Sequence, residues 1–181
     1  MEQPTKQLIN DLLEQRRTAQ QRLIGHYGPG VFRLVLRIVG QQQDAEEVYQ
    51  DVFVKVLQNI ASYDDRLSTL GTWISRIAYR ESISFLRRTR PAFVYIEEKN
   101  LQLESLDTEV DDAPRELTIQ RLEQAITQLQ PQEQALLTMF YYDNLSLRDI
   151  AFATDSIPST VGSWLCRIRK KLYRIIKTMP L

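Results

Sequence analysis

Apolar side chains recur at intervals of three and four along most of this chain, the repeat of helices buried on one side, while glycine and proline gather between the periodic stretches. The pattern predicts an all-α fold. Between Leu8 and Val39 it predicts two helical stretches broken near Gly28, Pro29 and Gly30. Asp44 is placed to cap a long helix with apolar positions Ala45, Val48, Tyr49, Val52, Phe53, Val56, Leu57 and Ile60. A loop from about Ser62 to Thr69 precedes a helix from Leu70 to about Arg88, which buries Ile74, Ile77, Ala78 and Phe85 before Pro91 stops it.

Residues 91–115 keep no sustained period and are strongly acidic, which predicts a linker with at most a transient helix. The chain therefore divides into two small helical domains, residues 1–90 and 116–181. The second opens with a helix around Glu116 to Leu129 and restarts at Pro131, a favourable first helical position. That helix is predicted to run to Tyr142. Ser146 and Asp149 form the pattern of a capping box for a short helix, and a turn then leads to a long last helix from about Pro158.

Composition narrows the chemistry. The chain has 181 residues, 43% of them apolar, enough for the cores of two small domains. No apolar run reaches the roughly 20 residues of a membrane span, and the polar N-terminus lacks a signal core, so a cytoplasmic protein with no membrane insertion is expected. One cysteine, Cys166, and one histidine, His26, leave metal and redox chemistry without ligands, and no cofactor is expected. Neither a phosphate-binding glycine loop nor a nucleophile motif is present, so an enzyme is not expected.

The formal net charge of zero hides a segregation. Arg76, Arg80, Arg87, Arg88 and Arg90 cluster against Glu81 alone, the following linker is acidic, and the tail after Asp155 carries only basic charges. The last two helices have the form of a helix-turn-helix. On a wheel of the final helix, Val161, Leu165, Ile168 and Leu172 share one face. Ser159, Ser163, Arg167, Lys170 and Arg174 lie opposite, flanked by Thr160, Trp164 and Lys171. Short hydroxyls can approach base edges while longer cations reach phosphates, as in DNA reading. A solvated basic face, favoured by the helix dipole, is the alternative.

A second basic surface is expected on the helix from Leu70, where Arg76, Arg80 and Arg87, with Trp73 and Ile83, are placed away from Ile74, Ala78 and Phe85. Arginines beside an exposed ring suit single-stranded or distorted DNA, although Trp73 could equally be core. The helix from Asp44 presents Glu47, Gln50, Asp51, Val54 and Gln58, an acidic patch around an aliphatic residue that suits a protein partner better than phosphates.

Three stretches, in order, resemble the extracytoplasmic-function (group 4) sigma factors of the sigma-70 family. Asp44-Ala45-Glu46-Glu47-Val48-Tyr49-Gln50-Asp51-Val52-Phe53 is similar to that family's polymerase-binding motif in region 2. Thr72-Trp73-Ile74-Ser75-Arg76-Ile77-Ala78, continuing to Leu86-Arg87-Arg88, resembles the rest of region 2. Leu129-Gln130-Pro131, Ser146-Leu147-Arg148-Asp149-Ile150-Ala151 and Ser159-Thr160-Val161 resemble region 4.

The resemblance implies a factor that binds core RNA polymerase and directs promoter-specific transcription initiation in a stress or envelope-signal response. Glu47, Gln50, Asp51 and Val54 would dock on the β′ clamp helices. Trp73, Arg76, Arg80, Arg87 and Arg88 would engage the minus 10 element, with the preceding loop accepting an unstacked base. Ser159, Thr160, Ser163, Trp164, Arg167, Lys170 and Lys171 would read the minus 35 element, and the second domain would also touch the β flap. The linker would follow the RNA exit path, and an anti-sigma factor is an implied partner. This chain departs from the family where Arg80 and Ser84 replace the common asparagine and aspartate, and where Gly162 and Trp164 stand in the reading helix. On the residues alone, a stand-alone helix-turn-helix regulator, or an interaction protein that sequesters a regulator, remains an alternative.

Overall fold

A computed structural model describes residues 3–90 and 115–179, and the acidic stretch read as a linker lies outside the described residues. Helix α1 (Gln3–Leu13) buries Leu8 and Leu12 and ends where Gln15 takes a left-handed conformation, φ 57°. Helix α2 (Arg17–Val39) then runs without interruption through Pro29, so the break expected near Gly28 falls instead at residues 14–16. The reason lies in packing. A proline inside a helix crowds and unpairs the carbonyl four residues back, here that of Gly25. Leu23, Val31, Leu34, Val35 and Ile38, buried on both sides of Pro29, hold the helix together across it. Gly28 is not a breaker but a contact point, because a Cβ there would come 2.6 Å from the Tyr49 hydroxyl.

Helix α3 (Gln42–Asn59) buries Ala45, Val48, Val52, Phe53 and Val56, and Asp44 sits in its first turn rather than at its cap. A 3-10 turn (Ile60–Ser62) and a loop lead to α4 (Leu70–Thr89), whose cap Thr69 accepts the Thr72 N–H on its Oγ1 at 3.1 Å. The Arg90 guanidinium donates to the Val39 carbonyl at 3.1 Å, tying the end of α4 to the end of α2.

The second helical unit holds α5 (Arg115–Thr127), α6 (Pro131–Leu137), α7 (Leu147–Thr154) and α8 (Pro158–Thr178). Helix α6 does not continue as an α-helix to Tyr142: it widens into a π-helical turn over Thr138–Tyr142, in which the Asp143 N–H donates to the Thr138 carbonyl at 3.0 Å. The expected capping box forms, with the Asp149 N–H donating to Ser146 Oγ and the Ser146 N–H to Asp149 Oδ2. No strand occurs among the described residues.

The two units expected from sequence do not stand apart. Helix α4 packs on α7, α2 packs on α6 and on the π-helical turn, and the buried apolar side chains of both units form one continuous cluster. Helix α4 therefore has neighbours on several sides, which corrects one detail: Ile83, expected on the open basic face, is buried. Ile74, fully buried on α4, fills the first unit's core, and removing its branches leaves a cavity that helices cannot close. Ile74→Ala should lower stability by about 2–4 kcal/mol in a denaturant titration followed by far-ultraviolet circular dichroism.

Candidate nucleic-acid interface

Glu47, Gln50, Asp51 and Val54 are all exposed on one face of α3, at the spacing of successive helical turns. Val54, 51% exposed, is the aliphatic member of this otherwise polar face.

The loop before α4 is built around Asp64. Its carboxylate accepts from the Arg66 N–H at 2.9 Å and from the Arg66 guanidinium at 2.9 and 2.6 Å. These bonds hold the Asp64 carboxyl down to about 2 from its usual 3.8. Behind them, the Tyr63 hydroxyl donates to the Ser68 carbonyl at 3.0 Å, and its ring meets Trp73 edge-on at 5.7 Å. Burial, then the nearby Asp65, pushes the Tyr63 phenol up. Trp73 is thus neither core nor free. It is half-buried and lines a cleft of about 350 Å³ together with Lys55, Asn59, Asp64, Arg76, Arg80 and Phe152. Glu81 lines the cleft as well and pairs with Lys55 at 2.5 Å, so both signs of charge meet beside the ring.

The expected openness of this face does not hold. Arg76 donates to Asp155 Oδ1 at 2.5 Å, and Arg80 donates through Nε and Nη2 to Asp155 Oδ2 at 2.9 and 2.6 Å. The Arg76 guanidinium also lies over the Phe152 ring, 4.5 Å from its centroid. Both partners come from the second unit, at the end of α7, where Asp155 closes the helix in a left-handed conformation, φ 56°. Two further links join the units. Thr72 Oγ1 donates to Asp149 Oδ1 at 3.2 Å, and Arg33 donates to Asp143 Oδ1 at 3.2 Å. Burial pushes the Asp143 carboxyl up, and the Arg33 charge opposes that. Arg87 and Arg88 are exposed at the far end of α4.

On α8, Ser159 and Ser163 are exposed, and Thr160, Arg167 and Lys170 are partly so. Ser163 Oγ donates to the Ser159 carbonyl at 3.0 Å. Two residues expected to flank this face also make contacts within the unit. The Trp164 ring packs against the core with its indole N–H buried, and Lys171 donates to Glu133 Oε2 at 2.7 Å. Gly162 is not demanded by the protein around it, since a Cβ there would sit 3.7 Å from Leu147 Cδ1, an ordinary contact.

The contacts of Asp143, Asp149, Phe152 and Asp155 with the first unit escaped the sequence reading because local roles account for these residues: a turn acid, a capping box, an apolar helix position and a helix end. Among the described residues no group of histidine, cysteine, aspartate and glutamate is placed to hold a metal ion, and no helix is long and apolar enough to cross a membrane.

Comparison with known proteins adds a family context. Residues 23–91 match Sigma-70 region 2 and residues 119–172 match Sigma-70, region 4, together about two thirds of the chain. The chain is 24% identical to the ECF RNA polymerase sigma factor SigW of Bacillus subtilis, over 99% of this chain and 100% of that protein. It is 29% identical to the ECF RNA polymerase sigma factor RpoE of Cereibacter sphaeroides, over 87% and 84%. Among solved structures it resembles CnrH in complex with the cytosolic domain of CnrY, with a TM-score of 0.68, 16% identity and coverage of 96% and 97%. It also resembles the sigma factor RpoE of Bartonella quintana in complex with the anti-sigma factor NepR, with a TM-score of 0.64, 18% identity and coverage of 88% and 98%.

The loop geometry makes a spectroscopic prediction. In a carboxyl-detected NMR titration Asp64 should titrate near its lowered value of about 2, and Arg66→Ala should move the midpoint up toward 3.8.

Proposed function

Because this chain belongs to the extracytoplasmic-function sigma factors of the sigma-70 family, we propose that its three exposed or cationic helix faces divide the work of promoter-specific initiation among them. As a sigma factor it binds RNA polymerase and directs transcription initiation. In this reading Glu47, Gln50, Asp51 and Val54 dock on the β′ clamp helices. Trp73, Arg76, Arg80, Arg87 and Arg88 engage the minus 10 element, and the outer face of α8 reads the minus 35 element.

The observation that carries this reading is the convergence on one side of α4 of the half-buried Trp73 ring, Arg76 and Arg80 beside a loop held by an Asp64 to Arg66 turn, in a cleft that Phe152 completes and whose two arginines meet Asp155. A duplex reader needs no such cleft. A protein that captures an unstacked base from opened DNA does, because the ring replaces the stacking the base has lost. On α8 we assign base approach to Ser159, Thr160 and Ser163 and phosphate contact to Arg167 and Lys170. Trp164 and Lys171 hold the unit together. The function needs positioning and charge, and no reaction by this chain. The two similar solved structures each contain a bound partner, called an anti-sigma factor in one of them, and an anti-sigma partner fits this chain as well. The cytoplasm, where polymerase works, is the compartment this role requires.

The direct test is reconstituted transcription with core polymerase on a genomic promoter library. Initiation from a discrete set of promoters is expected, and its absence from all of them would overturn the reading. In the same system Val54→Lys should weaken core binding by about tenfold, the loss expected of one central interface residue, without lowering thermal stability. Arg167→Ala or Lys170→Ala should each reduce the slope of log affinity against log salt on duplex DNA by about 0.9, the signature of one lost phosphate contact.

A further inference from the structure

We infer that Leu67 is a wedge for promoter opening, an aliphatic side chain on a fixed loop that enters the base stack at the minus 10 element and keeps it parted while the displaced base lies against Trp73. The inference deepens the reading of the Trp73 side of α4 as the minus 10 surface and rests on it. What singles out Leu67 is its own setting in the loop.

At 63% exposure Leu67 is the most exposed large apolar side chain among the described residues. Water disfavours such a side chain, yet folding leaves it outside the core, on the loop between the 3-10 turn and α4. The loop is tied on both sides of it. The Leu67 N–H donates to the Asp64 carbonyl at 3.2 Å and closes a turn, and Arg66 binds the Asp64 carboxylate through its N–H and its guanidinium. On the other side the Ser68 carbonyl accepts from the Tyr63 hydroxyl at 3.0 Å, and Thr69 caps α4. All of these bonds use main chain or the side chains of other residues. The shape of the loop is therefore set without the Leu67 side chain, which it holds outward.

A wedge needs apolar bulk, a stiff mount and a place for the base it displaces. Proteins that kink or unstack a duplex insert leucine and similar side chains between base steps, where apolar surface takes over from the stacking that is lost. Leu67 has the bulk, and the bonds on either side of it supply the mount. It lines the same cleft as Trp73, whose half-buried ring offers a displaced base an aromatic surface. A protein partner is the poorer fit. No other exposed large apolar residue lines the cleft, and the loop residues before Leu67 are Asp64, Asp65 and Arg66, so Leu67 is not part of an apolar patch that a partner would cover. One aliphatic side chain projecting from a charged rim has the form of an intercalating residue.

The test uses the full chain with core polymerase and a promoter found in the library assay, supplied as native duplex and as the same DNA mismatched across the minus 10 element, so that it is already open. Single-round transcription is read on both. Leu67→Ala should slow initiation from the duplex by about tenfold, the loss expected when one inserted side chain no longer offsets unstacking. On the opened template it should stay within about twofold of the unmodified chain, since no stack is left to part. Leu67→Met keeps the apolar bulk and should act as the unmodified chain on both templates. Core binding and the thermal midpoint should not change, because the side chain is mostly in water. Equal losses on the two templates, no loss on either, or a methionine variant as slow as the alanine one would each overturn the wedge and leave the sigma reading standing. An unmodified chain that initiates from neither template would strike down the sigma reading, and the wedge with it.

Discussion

Helix α4 must satisfy opposite demands on its opposite sides, and the rest of the molecule is arranged around that constraint. Ile74, Ala78 and Leu86 are fully buried and hold α2 and α3 in place. Arg76 and Arg80, one turn apart on another side, keep 25% and 54% of their side chains in water and offer their charge to whatever packs beside them. Helix α7 answers with Asp155 at its end, which pairs with both, and with Asp149 in its first turn, which accepts from Thr72.

Local and long-range roles are thereby fused in single residues. Asp149 closes the capping box with Ser146 and also accepts from Thr72 across the unit boundary. Asp155 ends a helix and pairs with two arginines. On α8, likewise, Lys171 pairs with Glu133 of α6. In such residues the edge chemistry of the second unit is set by its own folding, so what it can dock against follows from how it is capped.

Much of the fold was legible because helical period, caps and proline positions are local signals. The Ser146 box, Pro131 and Pro158 at helix starts, and the buried stripes of α3 and α8 all follow from residues within a few positions of one another. What was illegible depends on distant partners. Pro29 reads as a breaker until the buried residues on both sides of it are seen to hold α2 together, and Gly28 reads as a joint until Tyr49 is found against it. Ile83 looked exposed because a wheel assumes one buried side, whereas α4 has neighbours on several. The faces assigned to polymerase and DNA were visible as patterns of type and spacing. That one of them is covered by the other end of the chain was not, since no local signal marks Asp155 as a partner of Arg80.

The π-helical turn at Thr138–Tyr142 carries a consequence of its own. A π turn accommodates one residue more than the α-helix it interrupts, and the added residue rotates everything after it by roughly 100° about the axis, one helical step. It is this rotation that delivers Asp143 to Arg33 and sets Tyr142 beside the same guanidinium, 5.9 Å from the ring centroid. The Arg33 contact thus hangs on a count of residues as well as on their identity. A one-codon insertion or deletion in this turn would move Asp143 and Tyr142 off Arg33 and displace the buried Thr138 and Met139 at the same stroke, so that a change of length here is felt in the core and at the boundary between the units together.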